Sequence, residues 1–170
     1  MTYKDAAEVA FIHIVDNVVS LQRALPWEKA FDSIRISFTD LARAVNIKLD
    51  GANYNAESIN MPLGLIKLAI NMANKEDSSI HIPQVTFVVV KKGEMYAPLG
   101  ALYKHGLATD SKDPLMAKAV ESEQPLILKN IYDFSWTPLV KVQLLRLIRN
   151  GPPKLNPDMI DASIPHWWPD

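Results

Sequence analysis

VTFVVV, residues 85–90, decides how this chain is read. Its β-branched and aromatic side chains would point to both faces of a pleat, which predicts a strand in the middle of a sheet. KKGE (91–94) follows as a turn, with Gly93 free to take positive φ. MYAPLGALY (95–103) predicts a returning strand, pushed to an edge by Pro98. LILKNIYDF (126–134) predicts a third strand. Together they imply a small, mostly antiparallel sheet.

Helical patterns surround these segments. Ala7, Ala10, Phe11, Ile14, Val18, Leu21 and Leu25 recur at helical spacing, so residues 3–25 read as a helix. Val9, Ile12, Val15 and Val19 widen its apolar face until only a narrow polar stripe remains. Thr2 and Asp5 form a capping-box pattern with Asp in place of Glu. Pro26 opens a second helix whose seam is Trp27, Phe31, Ile34, Phe38, Leu41 and Val45, suited to an antiparallel hairpin with the first. A polar loop over 49–58 separates it from a third helix, about 62–75, whose polar stripe is Lys67, Asn71 and Asn74. Asp113 and Pro114 start a short helix to about Glu123. Thr137 and Pro138 cap a last helix that ends at Gly151. The expected fold class is therefore α+β: an N-terminal helical hairpin and a third helix packed on the sheet, with a C-terminal helix. Residues 1–150 read as one domain, and 151–170 as a Pro-rich extension carrying a Trp pair.

The totals narrow the function classes. A chain of 170 residues with 48% hydrophobic and 22% charged residues is an ordinary globular composition. The net charge of -1 gives no global pull toward nucleic acid or anionic lipid. There is no cysteine, which excludes disulfides, thiolate chemistry and Cys-ligated zinc. Asp5 and Glu8 stand where a signal peptide would be basic, and no run is long and apolar enough to span a bilayer. These features predict a cytoplasmic protein without membrane contact.

The reactive side chains are few. His13 shares the polar stripe of the first helix with Asp16 and Asn17, an offset that fits two metal ligands but is met more simply by a hydrogen-bonded stripe. Glu94, His105, Asp110 and Asp113 gather in loops beside the expected sheet, with His81 just before it. His105, Asp110 and Asp113 are the catalytic candidates, since a histidine among carboxylates can hold a divalent ion and activate water. A solvated polar loop accounts for the same residues, and neither a metal site nor a cofactor is assigned. No phosphate-binding loop, dinucleotide fingerprint, zincin motif or nucleophile elbow is present. Lys141, Arg146 and Arg149 give the last helix a basic side that could follow phosphates. Its positions Leu139, Val142, Leu145 and Ile148, with Leu144 and Leu147, read as the face that packs on the core.

The sequence closes on IPHWWPD (164–170), within a stretch, 151–170, that holds five of the twelve prolines. Trp167 and Trp168, with His166, are the binding candidates. A tryptophan pair stiffened by prolines suits docking on the chain's own domain, on a second copy or on another protein.

IPQVTFVVVKKGEMYAPLG (82–100) also resembles a segment of a group of small uncharacterised bacterial and phage proteins. Pro83, Val85, Thr86, Val89, Val90 and Lys92 match that group's pattern, and IYDF (131–134) resembles its later aromatic-Asp-aromatic block. The turn after Lys92 is longer here, and Pro98, Leu99 and Gly100 replace the group's Pro-Gly pair. The resemblance covers about a third of the chain. It implies no activity, only a phage, prophage or defence-related setting. The leading expectation is a non-enzymatic interaction protein acting on a protein partner or forming a homodimer. The alternatives are a small metal-dependent hydrolase or nuclease using His105, Asp110 and Asp113, and a nucleic-acid-binding accessory protein.

Overall fold

The computed structural model describes residues 2–95 and 114–152, with the backbone alone over 114–121. Its organising element is α1 (Tyr3–Ala24), which buries Ala6, Ala7, Ala10, Phe11, Ile14, Val15 and Val18. Three alanines on that face let neighbouring backbones approach closely, and α1 is packed on by helices from every later part of the chain. Its start is the expected reciprocal cap: the Asp5 carboxylate accepts from the Thr2 backbone N–H at 2.6 Å.

The expected second helix is interrupted. The chain forms α2 (Trp27–Ala30), a turn, a two-residue strand β1 (Ile36–Ser37), and α3 (Phe38–Lys48). Ser37 is the reason for the restart, because its Oγ accepts from the Asp40 N–H at 3.0 Å and caps α3. Ser-x-x-Asp at 37–40 is the signal that an unbroken apolar seam concealed. Arg35 holds the break in place. Its guanidinium lies 4.2 Å from the Phe31 ring centroid and donates to the carbonyls of Phe31 and Met95.

After the 49–58 loop comes α4 (Asn60–Glu76), matching the expected third helix. VTFVVV is the largest departure. Val85–Val88 wind into a 3-10 turn, and only Val89–Val90 are extended, as β2. β2 pairs in parallel with β1, Ile36 opposite Val89 and Ser37 opposite Val90. The whole run from Ile82 to Val90 is buried. Side-chain amides of α4 take the place of a strand partner. Asn74 donates to the Ile82 carbonyl at 2.9 Å and accepts from the Ile82 N–H at 2.8 Å. Gln84 donates to the Lys67 carbonyl and to the Asn71 side chain, at 3.2 and 2.6 Å. Asn71 and Asn74 therefore do not form a solvent stripe; they hold residues 82–84 against the helix, and residues pinned at that angle turn into the core rather than extend along it. The expected turn at 91–94 forms, with Gly93 at φ 81 and the Glu94 N–H on the Lys91 carbonyl at 2.9 Å.

LILKNIYDF is not a strand either. It is the second half of α5 (Pro114–Asp133), which passes through Pro125. Ile127, Leu128 and Ile131 are buried, and their one- and four-residue spacing is helical. Gln22 of α1 closes the end of this helix by donating to the carbonyls of Tyr132 and Phe134 at 2.5 and 2.8 Å, while the Tyr132 hydroxyl donates to the Leu25 carbonyl at 2.6 Å. Buried Trp136 stacks edge-on with Phe134 and donates to the Ile131 carbonyl at 3.1 Å. The last helix, α6 (Pro138–Arg149), starts as expected, with Thr137 Oγ1 accepting from the Val140 N–H at 3.3 Å.

The α+β expectation is thus overturned. The fold is mostly helical, and among the described residues the strands pair as a parallel bridge two residues long. The expected second strand, 95–103, falls almost wholly outside the described residues. Among the described residues no helix is long and apolar enough to cross a membrane.

Candidate functional site

The last helix is where the structure and the hydrophobic pattern disagree most usefully. At about 100° per residue, two apolar stripes compete on α6. One is Leu139, Val142, Leu145 and Ile148; the other is Val140, Leu144, Leu147 and Ile148. The second is the buried one. Leu139 and Val142, expected in the core, are 79% and 62% exposed. They sit one turn apart and point away from α1 and α4. This correction has a packing reason: α6 is turned so that Gly151 meets α4. A Cβ on Gly151 would stand 2.5 Å from Leu65 Cδ1, so a larger residue there requires the buried Leu65 side chain to shift.

Two basic residues of α6 reach from its flanks to the neighbouring helices. Arg149 donates to Glu8 Oε1 at 2.8 Å and to Asp5 Oδ1 at 3.0 Å, both on α1. Arg146 lies 3.8 Å from the Glu76 carboxylate at the end of α4. Lys4 donates to the Arg149 carbonyl at 3.2 Å, and the Tyr3 hydroxyl donates to the Pro152 carbonyl. The start of α1 and the end of α6 are thereby clasped together. The Thr2 backbone N–H, and after it Arg149, hold the Asp5 carboxyl below its ordinary pKa, and the Arg149 guanidinium is raised in turn, chiefly by Glu8. Of the three basic residues read as a phosphate-tracking side, Arg149 is committed to neutralising α1.

A second feature is an open cleft of about 270 Å³ lined by His81, Pro83, Asn130, Asp133 and Phe134, between the segment that leads into the 3-10 turn and the end of α5. Asp133 receives a hydrogen bond from Lys129 at 2.6 Å, which balances its charge. A histidine and an ion-paired carboxylate on an open rim can bind a polar group through hydrogen bonds.

The remaining sequence candidates are placed as follows. His13 and Asp16 are exposed on the outer side of α1, and Glu94 is exposed in the turn after β2. His81 lies in the cleft, and Glu94 is not among its described lining residues. His105, Asp110 and Asp113, and likewise His166, Trp167 and Trp168, lie outside the described residues. Among the described residues no group of three or more His, Asp or Glu is placed to hold a metal ion. The apolar pair on α6 was missed because a three-residue repeat fits a buried face as well as an exposed one. Comparison with protein-family models, curated proteins and solved structures found no match to this chain.

Proposed function

We propose that this chain is a non-enzymatic interaction protein that binds another protein through the outward side of α6. The observation that carries this reading is the pair Leu139 and Val142, exposed one turn apart on a helix that buries Val140, Leu144, Leu147 and Ile148. An aliphatic pair held rigidly by a packed helix is suited to anchor a contact: it gains apolar burial without ordering a loop. Arg146 stands four residues beyond Val142, one turn along the same side of the helix, so the matching partner surface is an apolar strip with an adjoining carboxylate. The resemblance of residues 82–100 to phage and bacterial proteins suggests a host or defence protein as that partner. Hydrolase chemistry at His105, Asp110 and Asp113 draws no support from the described residues, and the nucleic-acid reading loses Arg149 to Asp5 and Glu8.

The test is comparative capture. Tagged parent protein and the double variant Leu139→Lys/Val142→Lys are used side by side as bait, with bound proteins quantified by mass spectrometry. A protein retained by the parent and lost from the variant is then purified and its affinity measured directly. Equal retention on both baits, or none on either, ends the reading. Both positions are exposed, so the variant is expected to fold normally.

A further inference from the structure

Asn150 and Gly151, at the end of α6, are the one Asn-Gly pair in the sequence. Such a pair is open to attack by a main-chain nitrogen on the preceding side-chain amide, because glycine has no Cβ to crowd its own nitrogen and its backbone turns freely. Asn150 is exposed, so solvent reaches its side chain. What opposes the reaction is backbone geometry. Asn150 has φ -87 and ψ 5. A ψ near zero eclipses the Gly151 nitrogen with the Asn150 nitrogen, and leaves the Asn150 Cβ about a third of a turn away around the Cα–C bond. A five-membered ring joining Asn150 Cγ to the Gly151 nitrogen needs Cβ and that nitrogen to eclipse. The ψ of Asn150 must therefore swing through that arc, and the chain after it swings too. Every neighbour of this link resists. The Gly151 N–H donates to the Ile148 carbonyl at 3.1 Å, and buried Gly151 sits against Leu65. From α1, the Tyr3 hydroxyl donates to the Pro152 carbonyl, and Lys4 donates to the Arg149 carbonyl at 3.2 Å.

We propose that Asn150 is a self-modifying site gated by the clasp between α1 and α6: the closed clasp holds it inert, and opening lets it deamidate to isoaspartate. The Gly151 nitrogen gives up its proton to solvent and attacks Asn150 Cγ. A C–N bond forms, the bond from Cγ to the side-chain nitrogen breaks, and that nitrogen leaves as ammonia with a proton from water. Water then adds to the main-chain carbonyl carbon of the succinimide and breaks its bond to the Gly151 nitrogen. The peptide link now runs through Cβ and Cγ, and the old main-chain carbonyl becomes a free carboxylate. One water is consumed and one ammonia released. The product opposes reclosing. Its main chain is one carbon longer between residues 150 and 151, so Gly151 no longer seats against Leu65, and its new carboxylate stands at the negative end of the α6 dipole. The site is thus a one-way record of clasp opening, whatever α6 binds.

The experiment ages the full chain in mildly alkaline buffer. Acid digestion and mass spectrometry then read the amide-to-carboxyl mass gain at Asn150 and separate isoaspartyl from aspartyl peptide. In urea, Asn150 should convert ahead of every other asparagine. In the folded parent it should convert more slowly by roughly tenfold or more. Tyr3→Phe/Lys4→Met removes two bonds of the clasp and leaves the sequence around Asn150 intact. It should speed conversion in the folded protein on the order of tenfold, the effect of two hydrogen bonds of ordinary net strength on an opening equilibrium. Asn74→Leu weakens the fold away from the clasp and should leave the folded rate unchanged. Circular dichroism checks that each variant is folded, and Tyr3→Phe alone carries the comparison if the double variant is not. The isolated isoaspartyl chain should melt below Asn150→Asp, which has the added carboxylate on a main chain of normal length. Four results each overturn the proposal: no preference for Asn150 in urea, equal rates in the parent and the clasp variant, equal acceleration by Asn74→Leu, or an isoaspartyl chain that melts with Asn150→Asp.

Discussion

Asn74 makes both of its hydrogen bonds to one residue, Ile82, and no apolar side chain of similar size can replace them. With Asn74→Leu, the Ile82 N–H and carbonyl would be buried without partners. Each such group costs about 1–3 kcal/mol, so the variant should lose about 2–4 kcal/mol in urea unfolding. Thr86 is the opposite case. It is buried, and its hydroxyl has no hydrogen-bond partner among the described residues. Thr86→Val keeps the shape and removes the desolvated hydroxyl, so it should stabilise by about 1 kcal/mol. The two variants together distinguish a polar group that fastens the 80s segment from one that is merely carried by it.

At the level of elements, the junction between α4 and α6 is the most exacting contact. Gly151 is buried, and it is needed for closeness rather than for a left-handed φ: the positive-φ glycines among the described residues are Gly51 and Gly93. Gly151→Ala forces Leu65 or the end of α6 to move, and should cost about 1–3 kcal/mol by thermal or chemical melting. The caps were easier to foresee. Thr2, Thr137 and Pro138 are short local signals, and each stands where expected. The strands were not, because β-branched composition reports fit to a buried surface and not the direction of the backbone. VTFVVV is as buried as a central strand would be, yet four of its residues are a 3-10 turn. LILKNIYDF shows the same ambiguity resolved by period: its buried positions are Ile127, Leu128 and Ile131.

For the molecule as a whole, the clasp between the start of α1 and the end of α6 closes the chain on itself. Asp5 titrates within it. Folding lowers its pKa, so its contribution to stability is complete above the unfolded value of about 3.9 and disappears as pH falls through the lower folded value. Asp5→Asn should therefore melt below the parent at neutral pH, and the two curves should converge in acid, as followed by circular dichroism. The clasp also fixes which way α6 is turned, and so places Leu139 and Val142 in solvent at one end of that helix while Arg149 is drawn toward α1.

The sequence by itself determined the capped starts of α1 and α6 and the turn at Gly93. It also determined the apolar spacing of α1 and α4, because capping hydrogen bonds, positive φ and a 3.6-residue period are settled within a few neighbouring residues. Only the tertiary structure decided three other things. One was that VTFVVV would turn rather than extend, and another that Ser37 would split the second helix. The third was which of two equally apolar stripes of α6 would face the core. Each of those choices depends on what another part of the chain presents (an amide on α4, a carbonyl at Met95, a glycine against Leu65), and spacing along one segment carries no information about its neighbours in space.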